Sequence, residues 1–378
     1  MIKIFLIAGA RPNFMKIAPI IRALDVVDSI EWQLVHTGQH YDYEMSHSFF
    51  DDLDIPEPQF FLDAGSGSHA EQTATIMLAF EIVCLKEHPD LVLVVGDVNS
   101  TLACSIVAKK LNIQVAHVEA GLRSFDLSMP EEINRMVADA ISDLFFVTEQ
   151  SGIDNLLQEG KMEERIFFVG HVMIDNLFQQ ISKSETEGKV FEYTPLKASL
   201  GKYIFLTLHR PSNVDNKIIL SSIVDALNDI SETIPIIFPV HPRTQKMLDT
   251  FDLHLSENIN CLPPLGFNEA LNLWKDSTLV ITDSGGLQEE TTALGVPCIT
   301  LRENTERPIT CELGSNRLVG NNPEAILKAV KEVLEIENAE YLIPPKWDGH
   351  AAERIVEILL NHFAVDANTK IVSDEVAE

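Results

Sequence analysis

Leu279-Val-Ile-Thr-Asp-Ser-Gly-Gly-Leu-Gln-Glu-Glu-Thr-Thr-Ala-Leu-Gly-Val-Pro297 reads as a strand, a tight turn and a helix in succession. Leu279 to Thr282 is an apolar run of buried-strand length. Asp283 to Gly286 is polar and glycine-containing, and Leu287 to Leu294 has helical character that Gly295 and Pro297 stop. Such a unit is an anion site, because the first helical N–H groups lack intrahelical partners and the helix dipole favours negative charge there. The two glycines open the backbone to a bulky anion, and Ser284 adds a hydroxyl donor. Glu289 and Glu290 lie about one turn into the helix, where a carboxylate can accept from a ribose diol. The stretch predicts a docking place for a nucleotide diphosphate.

The same alternation runs outward through the chain. In the first half, Ile2 to Ala8 leads into Gly9-Ala10-Arg11-Pro12-Asn13-Phe14-Met15-Lys16, and Trp32 to His36 into Thr37-Gly38-Gln39-His40. Leu91 to Val95 leads into Gly96-Asp97, and Gln114 to Val118 into Glu119-Ala120-Gly121-Leu122-Arg123. Leu144 to Val147 and Ile166 to Val169 complete that half, with helices expected through Ile17 to Leu24, Met45 to Leu53 and Glu71 to Lys86, and from Glu131. A polar stretch, Ser182 to Lys197, precedes the restart. Tyr203 to Leu208 then leads into His209-Arg210, Ile234 to Val240 into His241-Pro242, and Val296 to Leu301 into Arg302-Glu303-Asn304-Thr305-Glu306-Arg307-Pro308. This rhythm implies an α/β protein with two Rossmann-like domains, whose parallel sheets face a central cleft. The expected domains are 1–170, joined by roughly 351–366, and a nucleotide-binding domain over 171–350. Ala351 to Phe363 reads as a helix crossing back to the first domain, and 367–378 as an acidic tail.

Composition narrows the function. The net charge is −29, from 28 Lys and Arg against 57 Asp and Glu. That argues against a nucleic-acid partner, which requires a basic face, but not against a small phosphorylated ligand met by local cations. The five cysteines are odd in number and scattered among apolar residues, which fits reduced thiols in a cytoplasmic protein. The apolar runs are strand-sized, so no membrane insertion is expected.

Arg11, Asp97, Glu119, His209, His241, Ser284 and Arg307 all fall just after a strand, where parallel sheets bind ligands. A helix terminus contributes only about 0.3–1 kcal/mol, whereas micromolar affinity needs about 8 kcal/mol. A diphosphate in so acidic a chain therefore needs charge-assisted bonds from Arg11, His209, Arg210 or Arg307. Asp97 reads equally as an N-cap, and Glu131 as a first-turn residue favourable to the dipole. With Glu119 they supply carboxylates able to move protons. His117 and His241 have no helix-spaced His or Glu partner, so no metal site is expected.

Several of these motifs occur together in one family. Gly9-Ala10-Arg11-Pro12 with Lys16, Gly96-Asp97, His117-Val118-Glu119-Ala120-Gly121-Leu122-Arg123, Pro130-Glu131-Glu132-Ile133-Asn134-Arg135, His209-Arg210 with Asn213, Thr282 to Glu290, and Thr305-Glu306-Arg307-Pro308 stand in the family's order. Over nearly its full length the chain resembles the non-hydrolysing UDP-N-acetylglucosamine 2-epimerases, which have the GT-B fold. The resemblance implies an isomerase that needs no cofactor. It eliminates UDP from UDP-N-acetylglucosamine to a glycal, then adds UDP back to give UDP-N-acetylmannosamine for cell-surface polysaccharide biosynthesis. It assigns acid/base work to Asp97, Glu119, Glu131 and His209. It assigns substrate contacts to Arg11, Lys16, Ser284, Gly285, Gly286, Glu290 and Arg307, beside Arg210 and His241 from the loop positions. A homodimer is the family expectation.

The chain also departs from the family pattern. Many members read Gly-Thr-Arg-Pro-Glu where this chain has Gly-Ala-Arg-Pro-Asn, a variant similar to enzymes acting on UDP-2,3-diacetamido-glucuronate. A GT-B glycosyltransferase is the other alternative. Gln39-His40 resembles part of an activator site found in some bacterial members, while Asp42 and Ser66 to His69 differ from it.

Overall fold

Apolar strands alternating with amphipathic helices build two parallel sheets in the computed structural model. It describes residues 1–38, 55–336 and 341–375, with Arg11 and 365–375 described by backbone alone. The chain divides into one unit of Met1–Asn176 with Pro345–Glu378 and a second of Leu177–Pro344. The sheet of the first unit contains Ile2–Ala8 (β1), Ile30–His36 (β2), Phe60–Phe61 (β3), Leu91–Val95 (β4), Gln114–Val118 (β5), Leu144–Val147 (β6) and Ile166–Phe168 (β7). Its order is β3-β2-β1-β4-β5-β6-β7. The sheet of the second unit contains Ile204–Leu206 (β8), Ile236–Pro239 (β9), Ile259–Leu262 (β10), Leu279–Thr282 (β11), Cys298–Thr300 (β12) and Asn316–Leu318 (β13), in the order β10-β9-β8-β11-β12-β13. All the pairings are parallel. In each sheet the connections run opposite ways from two adjacent strands, β1 and β4 or β8 and β11. The loops at the carboxyl ends of those strands diverge and leave a crevice.

The central strands are apolar throughout because both faces are covered. Ile4, Leu6 and Ala8 of β1 meet the helices Arg11–Leu24 and Ala351–Glu375, whereas Phe5 and Ile7 meet Phe80 and Cys84 of His69–Glu87 on the other face. The last helix thus belongs to the first unit. Asp175 caps it, its carboxylate accepting from the N–H groups of Ala351 at 3.1 Å and Ala352 at 2.7 Å. The indole of Trp347, just before it, donates to the Thr148 carbonyl.

Some boundaries differ from expectation for local reasons. The helix expected from Glu71 begins at His69, because Ser68 and Glu71 form a reciprocal capping box. The polar stretch Ser182 to Lys197 contains the end of helix Val172–Thr186 and the start of Thr194–Leu200. The last helix continues from Ala351 to Glu375 through the segment read as a tail, which has no Gly or Pro to stop it. The expected Met45 to Leu53 helix, Gln39, His40 and Asp42 lie outside the described residues. Among those described, no helix is long and apolar enough to cross a membrane.

Candidate active site

At the switch point of the first sheet, Asn13 joins the ends of two strands. Its side-chain oxygen accepts from the N–H groups of Gly9 at 3.3 Å and Ala10 at 3.0 Å, and its amide donates to the Val95 carbonyl at 3.1 Å. Arg11 is the first residue of the helix that follows. Farther along that helix, Lys16 Nζ lies 2.6 Å from Glu119 Oε2, with side chains only 13% and 3% exposed. Gly96, at φ +66°, makes room for the pair: a Cβ there would stand 3.0 Å from Lys16 Nζ and 3.6 Å from Glu119 Oε2. Glu119 itself sits at φ +69°, a left-handed conformation that costs a non-glycine residue about 1–3 kcal/mol. The chain maintains that strain where β5 delivers a carboxylate to the crevice.

His117, two residues earlier, is fully buried. Nδ1 lies 2.7 Å from Asp139 Oδ1 and Nε2 lies 2.9 Å from the Gly96 carbonyl. Both partners are acceptors, so only the imidazolium makes both bonds. Burial opposes the charge, but Asp139, the Gly96 carbonyl and Glu119 outweigh it and raise the His117 pKa. Asp139 also receives Arg123 Nη1 at 2.7 Å and the Gly121 N–H at 3.0 Å. Burial opposes its charge too, yet His117 and Arg123 hold its carboxyl below the usual range.

Asp97 is bound by Arg135, Nη1 to Oδ2 at 2.5 Å, while Asn134 donates to its carbonyl at 2.8 Å. It does not cap the next helix, Asn99–Lys110, whose N-cap is Val98 without a side-chain bond. Arg135 is in turn held by Glu132, which accepts from its Nε at 3.0 Å. Glu131 lies in the first turn of Pro130–Ile141 with no hydrogen-bond or ion-pair partner among the described residues. The buried face of that helix is polar, carrying Glu132, Arg135 and Asp139, while Ile133 and Met136 are exposed.

In the second sheet, fully buried Asp283 joins the strands beside the switch point. Its Oδ2 accepts from the N–H groups of His209 at 2.9 Å and Arg210 at 2.7 Å, and Oδ1 lies 2.9 Å from His209 Nδ1. Burial alone would raise its pKa; the hydrogen bonds and charge of His209 and the Arg210 N–H hold it low. The His209 ring lies 5.6 Å from that of His241. His241 caps helix Pro242–Phe251, accepting from the Arg243 N–H at 3.1 Å; partial burial and His209 lower its pKa. Ser284 is the N-cap of Gly285–Leu294, but its side chain makes no cap bond. A Cβ on Gly286 would meet nothing within 4 Å, and one on Gly285 only the Arg302 and Arg210 guanidinium groups, at 3.8 and 4.0 Å. Gln288 secures this helix to the loop after β12, its amide oxygen accepting from Thr305 Oγ1 at 2.9 Å.

The two glutamates of the helix divide. Glu289 is paired with Arg307, an ion pair with side chains 7% and 14% exposed. Glu290 is 7% exposed with no described hydrogen-bond partner, and burial, then Glu289, push its carboxyl up to about 8. An unfolded glutamate ionises near 4.5, so between that pH and about 8 the unfolded chain releases a proton that the folded chain retains. Stability is therefore lost as pH rises through this window, by at most about 1.4 kcal/mol per pH unit. Urea unfolding of Glu290→Gln should show a stability advantage over wild type that grows from pH 5 to pH 8. An equal pH slope in both proteins would refute the assignment.

The structure thus brings Lys16, Asp97 and Glu119 to the crevice of the first sheet, with Glu131 on a neighbouring helix. It brings His209, Arg210, His241, Ser284, Gly285 and Gly286 to the crevice of the second, with Glu290 and Arg307 in and beside its helix. Sequence reasoning left Asn13, Arg135, Asp139, Asp283 and Gln288 without roles. The charged stripe at 132, 135 and 139, at helical spacing, was the available signal for two of them. Among the described residues, no group of three or more His, Cys, Asp or Glu is placed to hold a metal ion.

Two parallel α/β units with polar, anion-competent loops at their switch points define a GT-B-like nucleotide-binding protein. A family model described as UDP-N-acetylglucosamine 2-epimerase matches residues 22–360, and the chain belongs to that family. It is 46% identical to the UDP-N-acetylglucosamine 2-epimerase of Methanocaldococcus jannaschii, over 94% of this chain and 98% of that one. It is 40% identical to the UDP-2,3-diacetamido-2,3-dideoxy-D-glucuronate 2-epimerase of Pseudomonas aeruginosa, over 94% and 99%. The crystal structure of the M. jannaschii UDP-GlcNAc 2-epimerase in complex with UDP-GlcNAc and UDP superposes with a TM-score of 0.82 at 45% identity, covering 95% of this chain and all of that one.

Proposed function

We propose that the chain interconverts UDP-N-acetylglucosamine and UDP-N-acetylmannosamine without hydrolysing them. The observation that carries this reading is the buried Glu119 carboxylate, held in a left-handed backbone conformation against Lys16 at the switch point. A protein that only binds an anion gains nothing from a strained carboxylate there. In the reaction, a base takes the C2 proton as the C1–O bond breaks and UDP leaves with the bonding pair. The resulting glycal is attacked at C1 by the returning UDP oxygen while C2 is protonated on its other face. Glu119, Asp97 and Glu131 are the proton-transfer groups. His209, bonded to Asp283 through Nδ1, keeps Nε2 for the departing phosphate. The bare N-terminus of Gly285–Leu294 holds the UDP charge, and Glu290 accepts from the ribose diol. The Arg307–Glu289 pair supports that face of the site.

The test is incorporation of deuterium from D2O into C2, by NMR, with UDP-N-acetylglucosamine and its diacetamido-uronate analogue. Absence of exchange with both sinks the proposal, and net sugar transfer to an acceptor in its place marks a glycosyltransferase. Asp97→Asn should bind UDP normally and lose exchange by about 10²-fold or more; retained turnover would give Asp97 a structural role. The Pseudomonas relative favours the analogue as a second reading. The Asn13 carboxamide is bonded to the backbone on both strands, which favours a strand-joining role for it over contact with such a sugar.

A homodimer accords with the exposed apolar stripe of Leu78, Ile82 and Leu85 on helix His69–Glu87. Light scattering of the purified chain tests it, and a monomer at micromolar concentration refutes it.

A further inference from the structure

Arg302 follows β12 and has no part in the mechanism above, although its side chain is only 9% exposed. Nη2 donates to Glu306 Oε1 at 2.8 Å. Nη1 is buried and has no hydrogen-bond partner among the described residues. A buried cationic N–H left without an acceptor is costly, so a fold that retains one points to an acceptor from outside the chain. The position of this group indicates which. A Cβ built on Gly285 would lie 3.8 Å from Arg302 Nη1 and 4.0 Å from Arg210 Nη2, with nothing nearer. The helix that Gly285 begins is ten residues long, and its N-cap Ser284 makes no side-chain bond to it. An unpaired guanidinium arm, a second guanidinium and the open N–H groups of a helix therefore border one space. A group with many acceptor oxygens and more than one negative charge satisfies such a set, as a diphosphate does.

We propose that Arg302 binds the diphosphate of UDP, Nη1 donating to a phosphate oxygen while Glu306 holds the other arm of the fork. This rests on the reading of Gly285–Leu294 as the UDP-binding helix. It adds a cation to those expected from the sequence and gives Glu306 a task, which is to fix the plane of the guanidinium. Burial opposes the negative charge of Glu306, but its bond to Arg302 outweighs that and keeps the carboxyl low, as the task requires. Lysine cannot replace this arrangement. One ammonium cannot occupy both arm positions, so it serves either Glu306 or the phosphate.

The test is UDP binding to the full chain by calorimetry, with uridine titrated by NMR as the phosphate-free comparison. Arg302→Gln should weaken UDP by about tenfold or more and Arg302→Lys by about threefold or more, with uridine unchanged in both. Where the Gln variant does not fold, the Lys variant decides. A folded variant that binds UDP as tightly as wild type overturns the assignment. So does an equal loss for UDP and uridine, which marks a merely structural residue. Failure of the wild-type protein to bind UDP overturns the functional reading as well, whereas tight wild-type binding that survives both substitutions overturns the Arg302 assignment alone.

Discussion

Glu119→Gln is expected to cut deuterium exchange at C2 by about 10²–10⁴-fold, the range for losing a positioned acid or base, while UDP binding stays within a few-fold of wild type. The two effects separate because the groups lie in different units. Glu119 ends β5 of the first sheet, whereas the proposed UDP-binding set belongs to β8, β11 and β12 of the second. Glutamine preserves the size of the side chain and an oxygen for Lys16, but it cannot accept a proton at neutral pH. Its backbone must still adopt the left-handed conformation at φ +69°, so the strain is unchanged and the comparison isolates the carboxylate. Exchange at the wild-type rate would remove Glu119 from the chemistry and leave its strain unexplained. Glu119→Gly is the complementary case. Glycine relieves the left-handed strain without supplying an acid or base, so exchange should again be lost.

Asp139→Ala is expected to destabilise the protein by about 3–5 kcal/mol, the range for removing one partner of a buried ion pair. Asp139 is fully buried between two cationic groups, His117 Nδ1 at 2.7 Å and Arg123 Nη1 at 2.7 Å. Alanine leaves both facing a cavity, along with the Gly121 N–H. The effect is pH-dependent with a definite sign. The folded-state pKa of His117 is raised above its unfolded value of 6.5, so the stability it contributes is fully present below that pH and is lost as pH rises through the folded pKa. Without Asp139 the buried imidazole loses its main source of that rise, so the variant should be most impaired relative to wild type on the acidic side of neutrality. Urea unfolding between pH 5.5 and 8.5 measures both terms. A loss below about 1 kcal/mol would show that the site rearranges around the missing carboxylate.

The strands were largely legible in the sequence because fully covered parallel strands are apolar runs closed by glycine, proline or polar turns. Leu91–Val95 and Leu279–Thr282 both occur as read. The two-residue strand Phe60–Phe61 was not, since a pair of aromatic residues has no period. Of the candidate site, the residues directly after strands were legible for a topological reason, the ligand position of parallel sheets. The groups that hold them were not. Asp139 reaches His117 across 22 positions, Arg135 reaches Asp97 across 38, and Asp283 reaches His209 across 74.

By itself the sequence determined the fold class, the order of the loops that can meet an anion, and the family. These follow from local pattern: hydrophobic period, glycine and proline placement, and short motifs at the ends of strands. Only the tertiary structure decided which charges pair and which remain available. It assigned Glu289 to Arg307 and left Glu290 buried beside Glu289, it made His117 a buried cation and excluded a capping role for Asp97, and it left one arm of Arg302 without a hydrogen-bond partner among the described residues, beside Gly285. The reason is that a charge in a protein interior is governed by burial and by neighbours within a few ångströms, and folding draws those neighbours from distant parts of the chain.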